Sequence, residues 1–120
     1  MRKSTRVATV AAALIALGCL AVPALAAPSH ATGATVKVAA LDTLKFTLST
    51  KTAHPGSVTF VVTNKGVLSH DFKIAGKKTA LLKHGQTAKL TVVLKKGNYP
   101  YACTVPGHAA AGMKGVFSVK

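Results

Sequence analysis

The chain has 120 residues, enough for one domain and one modest core. Sixteen Lys and Arg stand against two acids, a formal charge of +14, and aromatic residues make up only 5%. Both arginines lie within the first six positions and few aromatics are interleaved with the lysines, which argues against a nucleic-acid-binding module.

The first segment is not part of a domain. Arg2, Lys3 and Arg6 form a positive start, an apolar run follows from Val7 to Leu20, and Ala24-Leu25-Ala26 supplies the small residues of a cleavage site. Residues 1–26 read as a secretory signal peptide. As a membrane anchor the run falls short of the ~20 residues a spanning helix needs, and Pro23 interrupts its end. Leu17-Gly18-Cys19 resembles part of a lipobox, but Ala16 occupies the place where that box usually has Leu, so lipid anchoring at Cys19 ranks second. Arg2 is followed by Lys3, so there is no twin-arginine pair. The expected destination is the periplasm, the cell surface or the medium.

Cleavage there leaves Cys103 as the single cysteine, so no internal disulfide can form. A lone exported thiol is a liability unless it is buried and inert or bound to a metal. Removing Arg2, Lys3 and Arg6 leaves thirteen lysines opposed only by Asp42 and Asp71, a charge near +11. Such a surface keeps a domain soluble, and it also attracts acidic proteins or an anionic envelope surface.

Residues 27–34 form a polar lead-in in which His30 is a solvated tail residue. From position 35 to position 120 the chain reads as one domain with period-two patterning. Val36 and Val38 flank Lys37. Leu44, Phe46 and Leu48 alternate with Lys45, Thr47 and Ser49. Val58, Phe60 and Val62 alternate around Thr59 and Thr63, and Leu90, Val92 and Leu94 with Lys89, Thr91 and Lys95. Alternation of this kind predicts half-buried strands. His54-Pro55-Gly56, Asn64-Lys65-Gly66, Lys83-His84-Gly85 and Lys96-Gly97-Asn98 punctuate them, and breakers at this spacing predict an all-β sandwich. Ala80-Leu81-Leu82 reads as a short strand or turn. His54 and His84 sit in turn sequences and read as exposed loop residues.

The stretch YPYACTVPGHAAAGMKG, from Tyr99 to Gly115, carries chemistry. Cys103, His108 and Met113 are spaced C-x4-H-x4-M within eleven residues. Thiolate, imidazole and thioether together suit a soft or borderline metal, and trigonal His2Cys copper sites with a weak axial Met use this mixture. His70, in NKGVLSHDFKI, supplies a second imidazole. In an extended segment it shares a face with Phe72 and Ile74, as Cys103 does with Tyr99 and Tyr101. Zinc accepts Cys and His but rarely Met. An iron–sulfur cluster needs more cysteines. A Cys–His nucleophile pair leaves Met113 without a role.

Two of these stretches, NKGVLSHDF (Asn64 to Phe72) and YACTVPGHAAAGMKG (Tyr101 to Gly115), resemble the ligand segments of the cupredoxin family, the small blue copper proteins of the plastocyanin/azurin type. The resemblance implies a Greek-key β-sandwich of about eight strands. It implies one type 1 copper held by His70, Cys103 and His108 with Met113 as axial ligand, and electron passage at the exposed edge of His108. The sequence departs from the family at Asp71, where an Asn often follows the first ligand His, and in a Cys-to-His spacing longer than that of plastocyanin. The expected function is a non-enzymatic, one-electron Cu(II)/Cu(I) shuttle, monomeric, with acidic redox protein partners. The competing reading is Cu(I) trafficking or storage in the envelope. A metal-free adhesive sandwich would leave Cys103 without a purpose.

Overall fold

The computed structural model describes residues 33–120 together with Gly18. The signal peptide over 1–26, the lipobox-like Cys19 and nearly all of the lead-in with His30 lie outside the described residues. Among the described residues the chain forms nine strands and no helix. They are β1 (Ala34–Leu41), β2 (Lys45–Leu48), β3 (Thr52–Ala53), β4 (Gly56–Asn64), β5 (Lys73–Ile74), β6 (Lys77–Lys78), β7 (Thr87–Leu94), β8 (Gly97–Ala102) and β9 (Lys114–Val119).

Two mixed sheets face each other, one ordered β2-β1-β4-β7 and the other β3-β9-β8-β5-β6. The chain passes between them after β2, β3, β4, β6 and β7, giving the expected Greek-key sandwich. β1 and β4 run parallel, so their C-terminal ends emerge together, and β7 begins beside the end of β4. The end of β8 pairs with the start of β9. The backbone bond from Lys65 N–H to Ala40 O, 2.9 Å, ties the tops of the two parallel strands together.

The alternation seen in the sequence sets which side chains turn inward. Val36, Val38, Val58, Phe60, Val62, Val92 and Leu94 form one inner face, and Ile74, Tyr101, Phe117 and Val119 the other. On the outer face, Thr59 meets Thr91 and Thr63 meets Thr87, each pair through a 2.9 Å hydroxyl bond across β4 and β7. Phe60 joins the layers, with its ring centroid 5.3 Å from that of Phe72 and 5.2 Å from that of Phe117. These spacings suit aromatic edge and offset contacts.

Leu44 departs from the expected pattern. It is not the first inward residue of β2 but part of the turn before it, with φ of 57°. A left-handed conformation costs a leucine about 1–2 kcal/mol. The strain is offset by position, because the Leu44 side chain packs on a second, smaller buried cluster of Ala40, Cys103 and Met113 at the open end of the sandwich. The main core does not include those residues, so it should hold the domain together without a metal. Phe60→Ala should therefore destabilise the metal-free domain by about 3–5 kcal/mol in urea unfolding, the range for emptying a buried aromatic site. A loss under about 1 kcal/mol would contradict the packing described.

Candidate metal centre

Strand ends fix two of the four residues singled out in the sequence. Cys103 follows the last residue of β8 and Met113 precedes the first residue of β9. Cys103 N–H donates to Met113 O at 3.0 Å, extending the β8–β9 ladder by one rung. Met113 N–H in turn donates to His108 O at 3.0 Å, and His108 N–H to Val105 O at 3.1 Å. The loop is thus folded on its own backbone. Gly107 and Gly112 take the positive φ values, 84° and 114°, that such tight reversal requires. His70 is held from the other side by a two-bond bridge to Leu82, with distances of 3.0 and 2.7 Å. The Ala80–Leu82 segment is therefore a short pairing piece, as its sequence suggests.

This framework brings His70, Cys103 and His108 together. One potential ligand atom from each lies within 4.8 Å of the others. His70 Nδ1 and His108 Nδ1 are 3.2 Å apart, and Cys103 Sγ is 3.6 Å from His108 Nδ1. His70 and Cys103 are buried, while His108 keeps an edge toward solvent. Met113 is fully buried and packs in the same small cluster as Cys103. Burial pushes the Cys103 thiol above its ordinary value, and its hydrogen bonds only partly offset this. A cation at the cluster would displace that proton. Two imidazoles and a thiolate, with a thioether beside them, fit copper by the softness of the donors. His54 and His84 remain outside the cluster, as expected. Their Nδ1 atoms meet Lys120 O and Gly66 O at 3.3 and 2.7 Å.

The supporting residues were only partly legible. Asp71 sits beside His70 and is buried against the strand alternation. Its Oδ1 accepts Thr104 N–H at 2.5 Å and its Oδ2 accepts the Thr104 hydroxyl, so it ties the His70 segment to the residue after Cys103. The carboxylate thus makes the link between ligand loops that an Asn often makes in the family. Asn64 is fully buried at a β4 position where the alternation calls for an apolar residue. Its amide nitrogen donates to Leu68 O at 2.7 Å and Leu82 O at 2.8 Å, and its oxygen accepts Gly66 N–H at 2.8 Å. It braces the two segments that flank His70. Asp42 was also missed, although it is one of only two acids in the chain. Its carboxylate accepts Val67 N–H at 2.6 Å and Leu68 N–H at 3.0 Å and lies 3.2 Å from His70 Nε2. The Val67 amide bond leads the effects that hold it below the usual carboxylate range.

The fold and this cluster place the chain. The family described as copper binding proteins, plastocyanin/azurin family, matches residues 31–120, and the chain belongs to it. Auracyanin from the photosynthetic bacterium Roseiflexus castenholzii superposes with a TM-score of 0.65 at 23% identity, over 73% of this chain and 99% of that one. Auracyanin A, a "blue" copper protein from Chloroflexus aurantiacus, gives 0.62 at 20% identity over the same shares. At those identities the likeness is one of fold. In sequence, the copper-resistant cuproprotein CopI of Rubrivivax gelatinosus is 29% identical over 110 residues, 72% of this chain. The chain spans 66% of that relative's length.

Asn64→Ala offers a direct check on the frame. It would leave Leu68 O and the Gly66 N–H without this partner and Leu82 O with His70 N–H alone, at about 1–3 kcal/mol for each buried group left unsatisfied. The metal-free variant should melt well below wild type in a thermal or urea transition. An unchanged midpoint would mean that water serves these groups equally well.

Proposed function

We propose that this chain is an exported one-electron carrier in which His70 Nδ1, Cys103 Sγ and His108 Nδ1 would hold copper, with the Met113 thioether as a further, weak donor. The observation that supports it most is the convergence of those three donor atoms within 4.8 Å on strand ends and a self-bonded loop. Bound copper supplies a Cu(II)/Cu(I) couple. The protein's part is to keep the donors in one arrangement in both oxidation states, so that little has to move when an electron passes. The Cys103–Met113 rung, the Asp71–Thr104 link and the Asn64 brace each resist such movement. Leu44 and Phe46 pack on the cluster and help to exclude water. His108, with its solvent-facing edge, is the exit, and Ala109 to Ala111 with Pro106 form a small apolar rim around it. The residues do no bond-making on a substrate, so the reading is of a carrier and not an enzyme. The leader sequence supports delivery to the periplasm or the cell exterior.

The lysines suit an acidic redox partner. Lys78, Lys73, Ala102 and Lys114 stand opposite one another in a single row across β6, β5, β8 and β9. The three lysines of this row are exposed, and Ala102 and Lys114 adjoin Cys103 and Met113. Like charges set directly across a sheet repel, and an acidic surface would relieve them. Charge brings the partner in and the apolar rim completes a weak, fast contact, so the carrier works as a monomer between partners.

A second reading has its own support. The relative from Rubrivivax gelatinosus is named for copper resistance, and thiolate with thioether suits Cu(I) storage or hand-over. Two measurements separate the readings. A carrier should keep its copper through repeated reduction and reoxidation in the presence of a competing Cu(I) chelator, and a store should give it up on reduction. Stopped-flow transfer to an acidic redox protein should slow steeply with salt, given a Debye length of ~10 Å at 0.1 M. Lys73→Glu with Lys78→Glu should flatten that dependence more than the same change at Lys37 and Lys89 on the opposite sheet. A flat salt response in wild type would assign the lysines to solubility or to envelope attachment.

A further inference from the structure

We infer that Asp42 is the positioning residue for His70, fixing the ring so that Nδ1 is presented to the metal, and that it places a negative charge one imidazole away from the copper. Asp42 stands in the β1–β2 turn, 28 residues before His70 in sequence, and its Oδ1 lies 3.2 Å from His70 Nε2. A carboxylate only accepts hydrogen bonds. In the neutral His70 ring this contact puts the proton on Nε2, which leaves the lone pair on Nδ1, the atom that faces His108 Nδ1 at 3.2 Å and shares the cluster with Cys103 Sγ.

The carboxylate is itself immobilised. Val67 N–H reaches Oδ2 at 2.6 Å and Leu68 N–H reaches Oδ1 at 3.0 Å. Both amides belong to the segment that leads into His70, so ring and ring-holder are fixed to one piece of backbone. The close approach depends on Gly66. A Cβ at that position would lie 1.9 Å from Asp42 Oδ1 and 2.4 Å from Cγ. The other nearby carboxylate, Asp71, is occupied by Thr104 and does not serve His70. Groups that hold the second ring nitrogen of a metal-bound histidine fix its tautomer and raise its basicity. A full negative charge there favours Cu(II) over Cu(I), so Asp42 should lower the reduction potential.

The inference rests on His70 being a copper ligand, and the test keeps the two apart. Asp42→Asn retains an oxygen acceptor but removes the charge, and Asp42→Ala removes both. Gly66→Ala leaves the carboxylate in place and pushes it from its seat. In the metal-free protein, the long-range proton–nitrogen NMR spectrum should show the His70 ring wholly as the Nε2–H form in wild type and as a mixture in Asp42→Ala and Gly66→Ala. In the copper-loaded protein, Asp42→Asn should raise the reduction potential while the visible spectrum stays near that of wild type. Asp42→Ala should also weaken copper binding by about 10–100-fold, the range for losing such a partner. A merely structural role for Asp42 would lower the melting temperature but would move neither tautomer nor potential. Unchanged tautomer, potential and affinity in Asp42→Ala, while His70→Ala loses the site, would overturn the inference and leave the ligand reading standing. Full copper affinity and an unaltered spectrum in His70→Ala would overturn both.

Discussion

Three lone-pair-bearing atoms, two imidazole nitrogens and a sulfur, lie within 4.8 Å of one another at the open end of this sandwich. Without a metal these atoms meet through shared protons, and burial of His70 and Cys103 keeps out the water that would otherwise separate them. The rest of the architecture can be understood as the means of imposing it. Parallel β1 and β4 and the β8–β9 pair bring four strand ends to one place. Cys103 and Met113 are then joined rung to rung, while Asn64, Leu82 and Asp42 hold His70 from behind. The main aromatic core lies below and does not use the ligands, so folding energy and metal affinity are largely separate matters in this domain.

The distribution of charge follows the same logic. The chain has two carboxylates, and both are spent at the metal end. Asp42 holds two loop amides and His70, and Asp71 holds Thr104. Neither is paired with a lysine in the described structure, where the one acid–base contact is between Asp42 and His70. The thirteen lysines of residues 33–120 thus have no carboxylate partner in the described structure. The same economy makes each acid hard to replace, because no neighbouring carboxylate could take over its bonds.

Much of this was legible in the sequence, for physical reasons that differ by element. β1, β4 and β7 are long and half-buried, so their side chains alternate and announce themselves. β3, β5 and β6 have two residues each and cannot show a period. The candidate site was legible because Cys103, His108 and Met113 lie on one loop, and because metal donors are few among residue types. What escaped were residues that act across long separations. Asp42 meets His70 through a turn that shows no pattern, and Leu44 joins the site by adopting a conformation that no alternation predicts. Asn64 left a trace, a polar residue on the inward phase of β4, but it is hidden within a sequence that also reads as a turn.

The proposed function turns on one copper being held by Cys103 and the two histidines. The most direct measurement is an anaerobic titration of the metal-free mature chain with Cu(II), followed by visible absorption and electron paramagnetic resonance, with Cys103→Ser alongside. An intense sulfur-to-copper charge-transfer band should saturate at one equivalent and be absent from the variant. Stoichiometric binding without that band, equally tight in Cys103→Ser, would place the copper elsewhere and contradict the account.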